Sequence, residues 1–260
     1  MAAGWQHPVR AKLQAGDVVL GATITTPNIE AAALTATLGF DFLWVEMEHS
    51  PITLESLRAI VLATRALPAA VFARVPVVEL WTAKRVMDQG VSGVIFPFGS
   101  TVERARTAAA SCRYPPHGMR GSGAGLATFT WPEPDDYYDS SDRDMMTVVV
   151  IEEALAVQNI EEIAATPGID VLFIGTSDLS FSLGLRGRQD EPVLDENIEK
   201  VIAAGKKHGK FLGRPAGSPE LVAKYREQGF QFFQSQTDLG LIRLGAKALG
   251  LKEVPVKALY

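Results

Sequence analysis

A chain of 260 residues, 47% of them hydrophobic, can bury a full core, and its single cysteine, Cys112, excludes a disulfide framework and a thiolate metal cluster. A formal net charge of -5, with no basic block, argues against nucleic acid as a partner. No apolar run reaches the ~20 residues of a membrane helix, and the N-terminal MAAGWQHPVRAKLQAGD lacks the apolar core of a secretory signal, so the expectation is a cytoplasmic protein with no membrane partner.

Strand-like runs recur along the chain: VVLGATI from Val18, FLWVEM from Phe42, AVFARV from Ala70, GVIFPF from Gly93, TVVVIE from Thr147, VLFIGTSD from Val171, FLGRPA from Phe211 and FQFFQSQ from Phe230. Most are continuously apolar, as parallel strands covered on both faces are. Helical patterns lie between them, among them TLESLRAIVLATRAL, ELWTAKRVMDQG, TVERARTAAASC, EEALAVQNIEEIAAT and DENIEKVIAAGKKHG. Eight strand-helix units in about 250 residues predict an α/β fold, a TIM (β/α)8 barrel spanning residues 1–260 as one domain. One connection is long, at about 113–144. Rich in Gly, Pro and acids, it also carries the aromatics Phe129, Trp131, Tyr137 and Tyr138, which predict an ordered lid or interface element.

Barrel enzymes carry their reactive groups where strands end, so polar residues closing apolar runs become the candidates. Strand two ends in Glu46, Glu48 and His49, strand three carries Arg74, strand five ends in Glu152 and Glu153, and strand six leads through Gly175 to Asp178. Glu152 and Asp178 follow consecutive strands, which lie ~5 Å apart in a sheet, so the two carboxylates can converge on a hard divalent ion. Each alone reads equally as a helix N-cap or first-turn acid. Arg74 needs an anion beside it, either a structural carboxylate such as Glu46 or a substrate oxygen. His49 stands among acids that can raise its basicity, whereas His7, in the N-terminal tail, His117 and His208 read as structural. The glycine-rich HGMRGSGAG fits no phosphate-binding pattern.

Taken together, EHSP, ARVP, MDQG, RYPPHGMRG, VVVIEE and DVLFIGTSDLSFSLG, in this order, resemble the class II, metal-dependent pyruvate aldolases of the HpcH/HpaI family, over roughly Gly16 to Gly250. The resemblance implies a barrel of the phosphoenolpyruvate/pyruvate-binding type and a homo-oligomer, trimer or hexamer, with the last helix exchanged between subunits. It implies cleavage or formation of 4-hydroxy-2-oxo acids, with pyruvate or an analogue such as hydroxypyruvate, plus an aldehyde, as small-molecule partners, and Mg²⁺, Mn²⁺ or Co²⁺ as cofactor. In that light His49 is similar to the family's base, Arg74 to the group stabilising the enolate, and Asp88 to the acid that supports the histidine. Glu152 and Asp178 are similar to the metal ligands, Glu48 to the acid that steadies water on the metal, and Gly175, Thr176 and Ser177 to the backbone that binds the pyruvate carboxylate.

Departures from the family pattern are Glu46 in place of Asp, Val150 in place of a substrate-binding Gln, and Thr176-Ser177 in place of Pro-Ala. Strands seven and eight differ too, with Arg214, Gln234 and Gln236, which leaves the aldehyde open. No strand run contains a lysine, which disfavours Schiff-base chemistry. Oxaloacetate decarboxylation and CoA-ester cleavage use the same enolate, although no basic groove for CoA phosphates is visible. A silent barrel serving as a binding module would lack the acids and the base.

Overall fold

The computed structural model describes residues 6–132 and 134–252. Eight parallel strands close into a barrel in chain order: β1 Val19–Ile24, β2 Phe42–Glu46, β3 Ala70–Arg74, β4 Gly93–Phe96, β5 Met146–Ile151, β6 Val171–Ile174, β7 Phe211–Pro215 and β8 Phe232–Thr237. All eight predicted runs are strands. Among the described residues no helix is long and apolar enough to cross a membrane.

Strand periodicity sorts the side chains into two cores. Phe42, Trp44, Phe72, Ile95, Met146, Val148, Val150, Val171, Phe173 and Phe232 fill the barrel interior, while Leu43, Val45, Ala73, Val94, Val149, Leu172 and Phe233 face the helices. Glycines make room for the inner aromatics: a Cβ at Gly21 would run into the Phe42 ring, and one at Gly93 into Phe72. Register pairs Glu46 with Arg74. The inward stripe of β2, Phe42-Trp44-Glu46, thus climbs from apolar floor to polar mouth.

The first helix, Pro8–Gln14, closes the opposite end, with Val9 and Leu13 joining the interior cluster. His7 is not in a loose tail. It is fully buried as this helix's N-cap, edge-on to Phe72, and burial drives its pKa down to about 3, with Arg10 adding to the shift.

Elsewhere the helices start where polar caps allow, at Asn28, Thr53, Thr101, Ser218 and Thr237. The predicted helix over EEALAVQNIEEIAAT is two, Ala154–Gln158 and Ile160–Ala165, broken at Asn159, whose side chain instead bonds the Ser100 carbonyl. The described part of the long connection contains helices Gly125–Thr128 and Tyr137–Asp144, with Trp131 and Tyr137 buried. It leaves the C-terminus of helix Val102–Ser111 and enters the start of β5, so it lies at the N-terminal end of the barrel and cannot be a lid over its own chain's catalytic mouth.

Candidate active site

At the C-terminal mouth, Glu46 organises the end of β2. Its buried carboxylate takes four donors: Oε2 accepts from Trp44 Nε1 at 3.2 Å and Arg74 Nε at 2.6 Å, and Oε1 from the backbone N–H of Glu48 at 2.8 Å and of His49 at 3.0 Å. The Ser50 hydroxyl closes the turn onto the Glu46 carbonyl. The Arg74 guanidinium also lies 5.7 Å from the Trp44 ring centre and, through Nη1, 3.0 Å from Glu48 Oε2. That contact is angled, so Glu48 Oε2 is buried without a hydrogen bond. His49 Nε2 stands 3.7 Å from the same oxygen, with its ring open to solvent.

Glu152 follows β5, almost wholly buried, with Oε1 held by the Phe98 N–H at 2.7 Å. Phe98 adopts φ 49°, a left-handed conformation unusual for a bulky residue, and this strained turn aims the N–H at the carboxylate. Burial raises the Glu152 pKa to about 7; the Phe98 bond opposes this, and the charges of Glu48 and Asp178 add to it. Burial likewise raises that of Glu48, against the pull of Arg74 and His49. Asp178 is exposed in the first turn of helix Thr176–Ser182; β6 itself stops at Ile174, so the apolar run predicted to reach Asp178 is strand and then helix. The Gly175 N–H is spent on the Ile151 carbonyl, whereas Thr176 and Ser177 open the helix, where main-chain N–H groups have no helical acceptor.

Glu46, Glu48, Glu152 and Asp178 therefore share the mouth with the Arg74 guanidinium, and the charges of Asp178 and Arg74 both act on Glu48 and on Glu152. A hard divalent cation would relieve this excess of negative charge, and oxygen donors are the kind it prefers. Gly175 leaves the space open, for a Cβ there would lie 2.9 Å from Glu152 Oε2. Among the described residues no three or more His, Cys, Asp or Glu gather into a metal cage; the donor set that fits is the pair Glu152 and Asp178, the other coordination positions being left to water and substrate.

Asp88 is not brought to His49. It caps the C-terminus of helix Leu80–Met87, which runs antiparallel to the strands and ends at the opposite rim. There its Oδ1 accepts from Arg120 Nη2 at 3.1 Å. Arg120 is fully buried, also donating to Tyr137 Oη at 2.7 Å and Ser141 Oγ at 3.0 Å, beneath the Tyr114 ring. Arg120 of the HGMRGSGAG run thus anchors the long connection, its guanidinium taken up by Asp88, Tyr137 and Ser141.

Arg214 also points away from the mouth, outward onto the Tyr225 ring at 3.5 Å. Val150 is buried in the interior. Two contributors escape sequence reasoning. Trp44 reads as plain core, though its position two residues before Glu46 is a signal that both face inward. Phe98 acts through its backbone, which side-chain identity does not reveal.

Residues 25–243 match the family described as HpcH/HpaI aldolase/citrate lyase. The 5-keto-4-deoxy-D-glucarate aldolase of Klebsiella pneumoniae is 34% identical over 240 residues, 92% of this chain and 94% of that one. The hydroxypyruvate/pyruvate aldolase of Cupriavidus necator is 32% identical over 244 residues, 94% and 91% of the two chains. A crystal structure of an HpcH/HpaI aldolase/citrate lyase family protein from Burkholderia cenocepacia superposes with a TM-score of 0.86 at 31% identity, covering 94% of this chain and 98% of that one. With its closed barrel and the acids, arginine and histidine at one mouth, the chain belongs to the HpcH/HpaI aldolase/citrate lyase family.

Proposed function

We propose that the protein is a divalent-metal-dependent pyruvate aldolase, cleaving or forming 4-hydroxy-2-oxo acids. The observation that carries this reading is the meeting of Arg74, Glu48, Glu152 and Asp178 at one mouth, with His49 exposed beside them. Glu152 and Asp178 would hold the ion, Mg²⁺, Mn²⁺ or Co²⁺, which supplies Lewis-acid polarisation of the 2-oxo group.

The chain's own groups account for the rest. The N–H groups of Thr176 and Ser177 receive the substrate carboxylate, with Gly175 giving it room to approach. His49 removes the proton of the 4-hydroxyl. The C3–C4 bond breaks, its electron pair becomes the enolate of the pyruvyl unit, and C4 leaves as an aldehyde. Among the described residues Arg74 Nη2 has no protein partner, and it faces the developing oxygen charge. Protonation at C3 then gives pyruvate, or hydroxypyruvate where C3 carries a hydroxyl. Glu48, between Arg74 and His49, orders water at the site. A Schiff base is disfavoured: Lys210, whose pKa burial lowers, precedes β7 at the wrong end, where it donates to the Thr166 and Ile169 carbonyls.

A homo-oligomer, trimer or hexamer, is supported by the last helix, Asp238–Ala248, whose Leu239, Ile242 and Leu244 are exposed, as are Leu249 and Leu251 after it, an apolar surface that a second copy can cover. Asp88 can support His49 only if it comes from a second copy. The test is an assay of the purified protein with pyruvate and a panel of aldehydes, with and without Mg²⁺, Mn²⁺ or Co²⁺. Metal-stimulated condensation is expected; turnover indifferent to metal, or none with any aldehyde or with oxaloacetate, would sink the reading.

A further inference from the structure

Cleavage takes a proton from the 4-hydroxyl and puts one on C3, so the carbon needs a donor of its own. Most groups at the mouth are already committed. The Glu46 carboxylate is saturated by four donors, the Ser50 hydroxyl is spent on the Glu46 carbonyl, and the Arg74 guanidinium does not give up a proton. Glu152 and Asp178 serve the ion. Among the acids and bases described at the mouth, Glu48 and His49 are left.

The Glu48 carboxyl stands between the two groups that meet the substrate's oxygens. Its Oε2 lies 3.0 Å from Arg74 Nη1 and 3.7 Å from His49 Nε2. Arg74 faces the oxygen on C2 and His49 the oxygen on C4, so the carbon that falls between them, beside Glu48, is C3. Oε2 is buried without a hydrogen bond, which costs free energy in a carboxyl that only holds the structure together. Oε1 also accepts no hydrogen bond from a described residue, but it is not enclosed, and so it is the oxygen left to the open mouth. Burial favours the neutral acid while Arg74 and His49 favour the carboxylate, which keeps both forms within reach.

We propose that Glu48 is the acid that protonates C3, and in the reverse direction the base that deprotonates pyruvate, while His49 serves the 4-hydroxyl. This role rests on the aldolase reading and completes its proton balance. In cleavage His49 Nε2 takes the hydroxyl proton, the O–H electron pair becomes the second bond of the aldehyde carbonyl, and the C3–C4 pair passes into the enolate. The enolate oxygen then re-forms the C2 carbonyl as C3 takes the proton of Glu48 Oε1, leaving a carboxylate. His49, now an imidazolium on a solvent-open ring free to close the 3.7 Å gap, returns its proton to Oε2. A half-turn of the carboxyl group brings that proton to the Oε1 position, and both residues end the turnover as they began it.

The experiment measures deuterium incorporation into pyruvate in D2O, by mass spectrometry, with the Mn²⁺-loaded protein and no aldehyde. The parent protein should exchange the methyl protons. Glu48→Gln should slow exchange by about 10²-fold or more, the contribution of a general acid or base, with Mn²⁺ binding retained in titration calorimetry. His49→Ala should keep exchange, in which no 4-hydroxyl takes part, and lose condensation with aldehydes. Glu48→Asp, which draws the acid back by one methylene, should bind Mn²⁺ and exchange at an intermediate rate; it carries the test if the Gln variant does not fold, and parental exchange there overturns the inference. Exchange kept in Glu48→Gln, exchange lost in His49→Ala, or exchange lost in Glu48→Gln only together with Mn²⁺ binding also overturns it and leaves the aldolase reading standing. No exchange in the parent protein overturns both.

Discussion

Glu46 and Arg74 end neighbouring strands side by side, Oε2 to Nε at 2.6 Å, and the other oxygen of Glu46 secures the two backbone N–H groups that lead to His49. One carboxylate thus sets the arginine and the histidine-bearing turn together. The extra methylene of Glu over Asp lets it reach both strands.

Glu46→Ala would leave Arg74 buried with only the angled contact to Glu48 and would free the turn at residues 48–49. Loss of one partner of a buried ion pair costs about 3–5 kcal/mol, and the remaining Glu48 should hold this case to the lower end. Urea denaturation measures it; a loss under 1 kcal/mol would show the pair to be dispensable for stability.

Asp178→Ala and His49→Ala should separate metal binding from proton transfer. Titration calorimetry with Mn²⁺ should show binding lost in the first and kept in the second, while turnover falls in both, by about 10²–10⁴-fold for the histidine as general base. An active Asp178→Ala protein would contradict the ligand assignment.

Gly175→Ala would place a Cβ 2.8 Å from Glu152 Cβ and 2.9 Å from its Oε2, and 3.1 Å from Val150 Cγ1. Rotating the Glu152 side chain leaves its Cβ in place, so the backbone at the ends of β5 and β6 must shift as well. Melting temperature should fall, as overpacking costs about 1–3 kcal/mol, together with a drop of about tenfold or more in Mn²⁺ affinity, the scale of a disturbed metal surrounding. Unaltered affinity would place the ion elsewhere.

His7 supplies an acid limit to stability. Its pKa is about 3 when folded, against 6.5 for a free imidazole, so between these values the unfolded chain takes up a proton that the folded chain refuses. The contribution is whole above pH 6.5 and declines as pH falls toward 3, by at most ~1.4 kcal/mol per pH unit. Unfolding free energy measured across this window should flatten in His7→Gln; an identical slope would assign acid lability to other groups.

Arg120→Ala would strip Asp88, Tyr137 and Ser141 of their shared donor. The change should expose the connection over residues 113–144 to limited proteolysis well before the barrel unfolds, with mass spectrometry locating the cuts. Cleavage no faster than in the parent protein would show that the aromatic packing suffices alone.

The strands were legible because continuous apolar runs need cover on both faces, and the mouth was legible because such runs end in Glu46, Arg74 and Glu152. For Asp88 the family motif gives a chemistry without a place. Its position at the end of the helix after β3 already implied the far rim, for a helix between parallel strands must run back. Asn159 interrupts an unbroken helical spacing by a local bond to Ser100 that apolar periodicity does not register. Phe98 acts through a positive φ and its N–H, which leave no mark on residue type.

The helix Pro8–Gln14 beneath the barrel has a kinetic consequence. With Val9 and Leu13 stoppering one end and aromatics packed above them, the fold is a vessel with a single doorway. On the aldolase reading, whatever reacts beside Glu152 enters and leaves by the rim that carries Arg74, Glu48 and His49, so the same charged groups that would act on the substrate also meet every molecule in transit.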